Sequence, residues 1–367
     1  MRALVWQWSR RGSPPRFATL LADGLRALPE TEALLSLSTR AELLRSVSAP
    51  RCDLPVATYD GLAGFVLRAV AGPFAVRPLV ARIRDLAPDV AVCALPGPLD
   101  LLMATALRHL GVPFVVLVHD ADLHPGDGLP LQTALQRALC RRAAALGALS
   151  AYVGEQLITQ GLAGPRRPLL RLNHPPMSFG ASPPRVRPLH SLRLLSFGRL
   201  LPYKGLDLLA DALALLGPQS GLEVRIVGHG PESDVLSRLR AMPGVTVENR
   251  WVPEDEIGGL LGWSDALVLP YREASQSGVA AAALAAGRRV LGTRVGGLAE
   301  QLAGNDLALL CEPEAASVAA GLRRLLDEPV TVAGAEPTDA ATAWREMAAT
   351  LRDGLAMLLE TRSPRSA

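Results

Sequence analysis

Residues 192–216 read LRLLSFGRLLPYKGLDLLADALALL, and this stretch decides the fold. The apolar run Leu192–Phe197 predicts a buried strand, and the leucine-rich segment Gly205–Leu216 predicts a helix. The connection between them contains glycine and proline, which predict a turn. A strand, a tight turn and a helix in this order form the repeating unit of a parallel α/β sheet.

The same alternation runs through the rest of the chain. In the first half, strands are predicted at Arg2–Trp6, Ala33–Leu37, Leu54–Ala57, Val90–Ala94, Phe114–Val118 and Gly147–Leu149, with amphipathic helices at Arg16–Leu28, Phe74–Leu86 and Leu99–Leu110. In the second half, further strands are predicted at Glu223–Val227, Val245–Glu248, Ala266–Leu269, Arg289–Gly292 and Leu307–Leu310, with helices at Glu232–Ala241, Gly278–Ala286 and Ala315–Leu326.

We therefore expect an α/β protein with two Rossmann-like, doubly wound parallel-sheet domains that face each other across a cleft. The segment 173–188 is too rich in proline for a helix or an interior strand, so it predicts the domain boundary. The predicted domains are residues 1–178 and residues 190–335. Ligands of open α/β sheets bind at the carboxyl ends of the strands, which points to the cleft as the site.

Composition narrows the class of function. The chain has 367 residues, 49% of them hydrophobic, and a net charge of only +3, which does not favour nucleic-acid binding. Residues 1–185 contain 20 Arg against 13 Asp and Glu, or +7, which suits peripheral contact with anionic lipid or a phosphorylated substrate, although solvated surface arginines would also explain this excess. No apolar stretch is long enough to span a membrane, and the apolar start is too short for a signal peptide. Four cysteines without paired spacing favour a reducing cytoplasm.

A diphosphate site is predicted at the turn after the strand Leu192–Phe197. Lys204 is the only lysine among 38 basic residues, and it lies five positions after Arg199 where a helix begins. A compact ammonium, a guanidinium and the positive end of a helix can converge there on one anion.

Two further turns follow strands in the same half. Gly228 and Gly230 form a Gly-x-Gly turn after a strand, which is a weak signal by itself. After another strand, Glu273 precedes a run of hydroxyl, amide and backbone donors at a helix start, namely Ser275, Gln276, Ser277, Gly278 and Val279. That run suits a second phosphate or sugar contact, although helix capping alone would also explain its serines.

Together these motifs resemble a known family. They are FGRxxxYKG at 197–205, VGHGP at 227–231, ASQSGV at 274–279, AGRRV at 286–290 and TxVGGLxE at 293–300. In this order they are similar to the donor-binding domain of the retaining GT-B glycosyltransferases of family 4. The resemblance implies that Arg199 and Lys204 hold the diphosphate of a nucleotide sugar, linked to UDP, GDP, ADP or dTDP. Gly198, next to Arg199, would belong to the same donor site.

The first half is similar to the family in a few places. His119 follows the apolar run Phe114–Val118, and the resemblance implies that it contacts the donor sugar as a catalytic residue. Asp120 and His124 would lie on the acceptor side, for a sugar or lipid-linked glycan acceptor. Gly12 and Ser13 correspond loosely to the family's glycine-rich donor loop, without its glycine pair. The segment 341–360 resembles the terminal helix that packs back on the N-terminal domain.

The sequence departs from the family at one point. Many members carry two glutamates separated by seven residues, where this chain has Ala274 and Ala282. The resemblance still predicts a metal-independent, retaining hexosyltransferase without cofactor, acting in cell-surface polysaccharide or glycolipid biosynthesis on the cytoplasmic face of the inner membrane. A non-catalytic, sugar-nucleotide-binding paralogue and a sugar-nucleotide epimerase are the alternatives.

Overall fold

The computed structural model describes residues 1–46, 49–59, 61–70, 72–122, 124, 126, 131–181, 183, 190–328 and 339–361. Two compact units divide the chain. Unit 1 comprises Met1–Asp122, Leu129–Asn173 and Ala341–Ala367, and unit 2 comprises Leu123–Gly128 and His174–Ala340. The boundary at Asn173 lies at the start of the proline-rich segment. Part of that segment packs on unit 2, where the amide of Met177 donates to the carbonyl of Ala281 over 3.3 Å.

Unit 1 contains a six-stranded parallel sheet with helices between its strands. In chain order the elements are β1 (Arg2–Gln7), α1 (Ser13–Arg26), β2 (Glu32–Leu37), α2 (Gly61–Val70), α3 (Gly72–Leu86), β3 (Val90–Ala94), α4 (Asp100–His109), β4 (Phe114–Val118), α5 (Gln132–Arg142), β5 (Ala145–Ala148), α6 (Ala151–Thr159) and β6 (Leu169–Arg171). The strand order is β2-β1-β3-β4-β5-β6. The chain therefore reverses its direction across the sheet between β1 and β3.

Unit 2 contains a second six-stranded parallel sheet. Its elements are β7 (Leu192–Arg199), α7 (Leu206–Leu216), β8 (Leu222–His229), α8 (Asp234–Arg240), β9 (Val245–Asn249), α9 (Glu254–Trp263), β10 (Ala266–Leu269), α10 (Gly278–Ala285), β11 (Arg289–Thr293), α11 (Gly296–Leu302), β12 (Ala308–Cys311) and α12 (Ala315–Asp327). The strand order is β12-β11-β10-β7-β8-β9, so the reversal lies between β7 and β10. The prediction of two doubly wound parallel sheets is confirmed.

The central strands are buried on both faces. Every residue of β3, β4 and β10 is buried, as expected of apolar strands covered by helices on either side. In unit 2 one core lies between the sheet and α7 with α12, and another lies against α10 and α11. The predicted strand Leu54–Ala57 is wrong. The amides of Leu54 and Val56 donate to carbonyls of β2, but only Val56 forms a bridge, to Ser38, so the segment follows the edge of β2 without becoming a strand.

The last helix, α13 (Ala340–Glu360), packs on unit 1. The ring of Trp344 lies edge-on to Phe17 with 5.0 Å between ring centroids. A Cβ atom at Gly24 would stand 2.9 Å from the carbonyl oxygen of Trp344, so glycine permits the close approach of α1 and α13. No helix in the described part of the chain combines the length and apolar character needed to cross a membrane.

Candidate functional site

The predicted site residues of the second half meet at one edge of the unit 2 sheet. β7 lies between β10 and β8, and all three strands are parallel, so the turns that follow them are neighbours. The turns follow Arg199 at the end of β7, Leu269 at the end of β10 and His229 at the end of β8. The turns after β7 and β10 flank the reversal of strand order, where open α/β sheets bind ligands.

Glycines allow these turns to approach each other. A Cβ atom at Gly228 would lie 1.6 Å from the carbonyl oxygen of Gly198, and one at Gly205 would lie 1.8 Å from that of Pro270. Gly205 also has φ +65°, a left-handed conformation that glycine adopts without strain. The amide of Arg272 donates to the carbonyl of Tyr203 over 2.8 Å. Backbone contacts therefore fix the turn after β7 against the turn after β10.

Two buried tyrosines hold the cations of the first turn. The Lys204 Nζ atom lies 3.7 Å from the ring centroid of Tyr271 and 5.0 Å from that of Tyr203. An ammonium at this distance over an aromatic face is attracted to it. A guanidinium nitrogen of Arg199 donates to the Tyr203 hydroxyl over 2.9 Å. Tyr203 is 4% exposed and Tyr271 is 2% exposed, whereas Arg199 is exposed. The buried rings therefore hold the cations in place while the charge of Arg199 stays accessible to solvent.

The turn after β10 leads into α10. The Ser277 Oγ atom caps this helix by accepting the amide of Ala280 over 3.2 Å, and it lies 3.4 Å from the Tyr271 hydroxyl. Gln301 receives the Ser277 amide at 2.9 Å and donates to the Ser277 carbonyl at 3.1 Å. The Ser277 amide is therefore occupied by Gln301, and the place of Ser277 in a donor site stays a prediction. The first-turn amides of Gly278 and Val279 remain as helix N–H groups without a partner inside the helix.

The other residues of this loop are buried and fixed. Ser275 and Gln276 are 3% and 5% exposed. The amide of Gly297 in α11 donates to the Ala274 carbonyl over 3.0 Å. Thr293 donates its hydroxyl to the carbonyl of Tyr271 over 2.6 Å. The loop is thus supported from the neighbouring turn after β11.

His124 belongs to unit 2, although the sequence predicts it on the acceptor side with His119 and Asp120. Its imidazole stacks on the ring of Tyr203, with centroids 4.4 Å apart and an interplanar angle of 15°. Its Nδ1 atom lies 3.2 Å from Oε1 of Glu273. His124 thus lies between the turn after β7 and the turn after β10 and contacts both.

The Gly-x-Gly segment begins inside β8 at Gly228, and the turn at its end is held by Asn249. Its side chain accepts the Gly230 amide at 3.1 Å and donates to the Gly230 carbonyl at 3.0 Å. It also donates to Glu232. The hydrogen bonds from Arg240 and Asn249 lower the pKa of the Glu232 carboxyl to about 2. The turn is therefore fixed next to Gly198 by its own polar network.

In unit 1, His119 and Asp120 follow the carboxyl end of β4. The Nδ1 atom of His119 lies 2.8 Å from Oδ2 of Asp120, and each side chain is 25% exposed. A proton on Nδ1 that is donated to the carboxylate leaves the lone pair on Nε2. Gly12 precedes α1 with φ +80°, and Ser13 is the first residue of that helix. Both are exposed in the turn after β1.

Neither the acidic residues nor the thiols offer an alternative centre among the described residues. No group of three or more His, Cys, Asp or Glu side chains there could hold a metal ion. Burial raises the pKa of the Cys140 thiol to about 12 and that of Cys311 to about 11. Burial and the neighbouring Asp100 raise the pKa of Cys93 well above its usual value. These thiols remain protonated and act as small apolar side chains.

Two family models match the chain, one to each unit. "Glycosyl transferases group 1" matches residues 191–328, and "Glycosyl transferase 4-like domain" matches residues 3–172. The chain belongs to the GT-B glycosyltransferases. Among curated relatives of this family, the 2-deoxystreptamine glucosyltransferase of Streptomyces kanamyceticus is 28% identical over 269 residues, covering 66% of this chain and 70% of that protein.

Solved structures share the GT-B fold. The sucrose-phosphate synthase of Thermosynechococcus elongatus is 16% identical and superposes with a TM-score of 0.68, covering 99% of this chain and 100% of that one. HepE of Anabaena, in complex with UDP and glucose, is 20% identical with a TM-score of 0.68, covering 98% and 100%. At these identities the likeness shows the fold alone.

Several residues of this glycosyltransferase that support the site were missed by the sequence analysis. Tyr271 and Gln301 touch site residues only through contacts that depend on strand order. Arg272 forms an ion pair with Asp207 in the first turn of α7. Burial alone would raise the pKa of Asp207, but the hydrogen bond and charge of Arg272 outweigh it and hold that pKa below its usual value. Of these supporting contacts, only that between Tyr203 and Lys204 could be expected from the sequence, because the two residues are adjacent in the chain.

Proposed function

We propose that this chain transfers a sugar from a nucleotide diphosphate donor to an acceptor hydroxyl, with retention of the anomeric configuration. The observation that supports it is the ammonium of Lys204, which lies over the ring of Tyr271 beside the exposed Arg199. This pair stands where the strand order of the unit 2 sheet reverses. Two fixed cations at such a point suit a diphosphate.

The proposed mechanism depends on the negative charge that develops on the leaving diphosphate. As the bond between the sugar and the diphosphate breaks, negative charge grows on the leaving phosphate, and preorganised donors stabilise it. Arg199, Lys204 and the first-turn amides of α10 would supply these donors without a metal ion. The acceptor oxygen then bonds to the same face of the sugar carbon, and its proton passes to the leaving diphosphate. For unit 1, we assign His119 a contact with the sugar, with Asp120 fixing its imidazole.

The donor and the acceptor are proposed by class. HepE was solved with UDP and glucose, which supports UDP as the first nucleotide to test, before GDP, ADP and dTDP. The acceptor is a sugar or a lipid-linked glycan of cell-surface polysaccharide or glycolipid synthesis, met by the protein at the cytoplasmic face of the inner membrane. The excess of arginine in residues 1–185 supports peripheral contact with that surface.

The test is the thermal stability of the protein with each of the four nucleoside diphosphates. A ligand at ~100 times its Kd adds ~2.7 kcal/mol to the folded state that binds it. We expect one nucleotide to stabilise the wild type and the control Arg238→Ala, whose guanidinium is on α8 away from these turns, but not Lys204→Ala. Equal stabilisation of Lys204→Ala would contradict the phosphate role. Nucleotide binding without any sugar transfer would favour a non-catalytic paralogue, and epimerised donor without acceptor would favour an epimerase.

A further inference from the structure

A pocket lies in unit 1, at the point where the strand order of that sheet reverses. Its volume is about 400 Å³, within the range of pockets that bind small molecules. Trp8 comes directly after β1, and Leu99 lies in the connection that follows β3; both line the pocket. Since β1 and β3 flank the reversal, the pocket occupies the general ligand position of an open α/β sheet.

The lining is apolar and carries charge of one sign. Among the twelve described residues that line it, only Thr58, Arg68 and Arg82 are polar, and none is acidic. Arg68 donates to the carbonyl of Ala57 through two nitrogens, at 3.0 and 2.5 Å. Arg82 donates to the carbonyl of Pro55 at 2.9 Å. A guanidinium has five N–H donors, so these bonds fix both cations on one loop and leave further donors for an anion.

An apolar rim accompanies the cations. Phe74 lines the pocket from α3, and yet it is 84% exposed. An inorganic anion would gain nothing from such walls, whereas an alkyl chain would leave water by entering them.

We propose that this pocket binds the apolar chain of an anionic amphiphile whose acidic head group pairs with Arg68 and Arg82. Charge complementarity selects the head group, because the described lining residues include two cations and no acid. The apolar walls select the chain, and each methylene that enters them raises affinity by up to about fourfold. The described lining residues all belong to unit 1, so occupation of the pocket is measurable separately from nucleotide binding in unit 2.

The experiment is calorimetric titration with octyl phosphate and decyl phosphate below their micelle concentrations. Inorganic phosphate tests the head group alone, and decanol tests the chain alone. We expect decyl phosphate to bind at least fivefold more tightly than octyl phosphate, and both single-feature probes to bind at least tenfold more weakly. Equal binding of the two chain lengths, or binding of inorganic phosphate as tight as that of decyl phosphate, would overturn the proposal.

Matched variants on α3 test whether the amphiphile binds in this pocket. Ala75 lines the pocket and Ala81 does not, so Ala75→Phe should fill the pocket and abolish decyl phosphate binding, while the exposed control Ala81→Phe keeps it. Arg82→Gln should weaken binding at least tenfold, whereas Arg84→Gln, exposed on the same helix but outside the lining, should change it less than twofold. If each lining variant binds decyl phosphate as tightly as its control variant, the amphiphile does not bind in this pocket.

Nucleotide titration of the same samples separates this inference from the proposed function. A wild type that binds a nucleoside diphosphate but no alkyl phosphate overturns the inference alone. A wild type that binds alkyl phosphate but no nucleotide sustains the inference and overturns the donor site. We expect Ala75→Phe and Arg82→Gln to bind nucleotide as the wild type does.

Discussion

Replacing Tyr271 by leucine should weaken nucleotide binding by removing the surface on which Lys204 lies. The Lys204 Nζ atom is 3.7 Å from the ring centroid, well within the range of ~6 Å for a cation–π contact, and the ring is 2% exposed. A desolvated contact of this kind is worth about 2 kcal/mol, or roughly a 30-fold change in an equilibrium constant. Without the ring, the population in which the ammonium is already positioned for phosphate falls by up to this factor, and the apparent Kd rises in proportion, so we expect a 5- to 30-fold increase in Kd.

A phenylalanine variant distinguishes the role of the Tyr271 ring from that of its hydroxyl. Tyr271→Phe keeps the aromatic face and loses only the 3.4 Å contact with Ser277, so its Kd should stay within about threefold of the wild type. Calorimetric titration with UDP gives the Kd, and thermal unfolding shows whether each variant is folded. Tyr152→Leu, at a tyrosine on α6 that is 38% exposed, is the control. If Tyr271→Leu binds as tightly as the wild type, or Tyr271→Phe as weakly as Tyr271→Leu, the ring does not position Lys204.

Three further predictions concern stability. Gly228→Ala should lower the free energy of unfolding by at least ~3 kcal/mol, because its Cβ would overlap the Gly198 carbonyl. Gly259→Ala on α9, with open space around it, should be neutral or stabilising. Equal urea midpoints for the two variants would contradict this. Burial raises the pKa of Asp100 from 3.8 to about 6, so the native state favours the protonated acid. As the pH rises from 4 to 7, the free energy of unfolding of the wild type should therefore fall by up to about 3 kcal/mol relative to that of Asp100→Asn. Parallel pH profiles of the two proteins would refute the shift. A double-mutant cycle of His124→Ala and Glu273→Gln should give a coupling of about 0.5–1 kcal/mol in unfolding, and additive effects would show that their 3.2 Å contact contributes nothing.

The sequence predicts the strands of this fold best where burial is complete. The predicted ranges Val90–Ala94, Phe114–Val118 and Ala266–Leu269 are the observed strands, because an uninterrupted apolar run can only lie between two layers of helices. The three-residue strand Leu169–Arg171 has no such pattern and was not predicted. The run Leu54–Ala57 is apolar enough for a strand, but it lies beyond the edge of β2 and makes one bridge.

The candidate site was predictable only as far as local signals reach. Arg199 and Lys204 share one turn, so their proximity follows from sequence spacing. The support from Tyr271 depends on β10 lying next to β7, although 66 residues separate the end of one strand from the start of the other. That adjacency is set by the reversal of strand order, which apolar periodicity does not encode. The grouping of His124 with unit 2 depends in the same way on contacts with Tyr203 and Glu273.

The central claim is that Lys204 binds the phosphates of the donor, and the chain permits a direct test because it contains a single lysine. Protein labelled with ¹³C at the lysine Cε gives one methylene resonance, which can be followed while UDP is added. The account predicts that this resonance shifts with the same Kd that calorimetry reports, and that uridine, which lacks phosphate, leaves it in place. A resonance that does not move while calorimetry shows saturation with UDP would contradict the account.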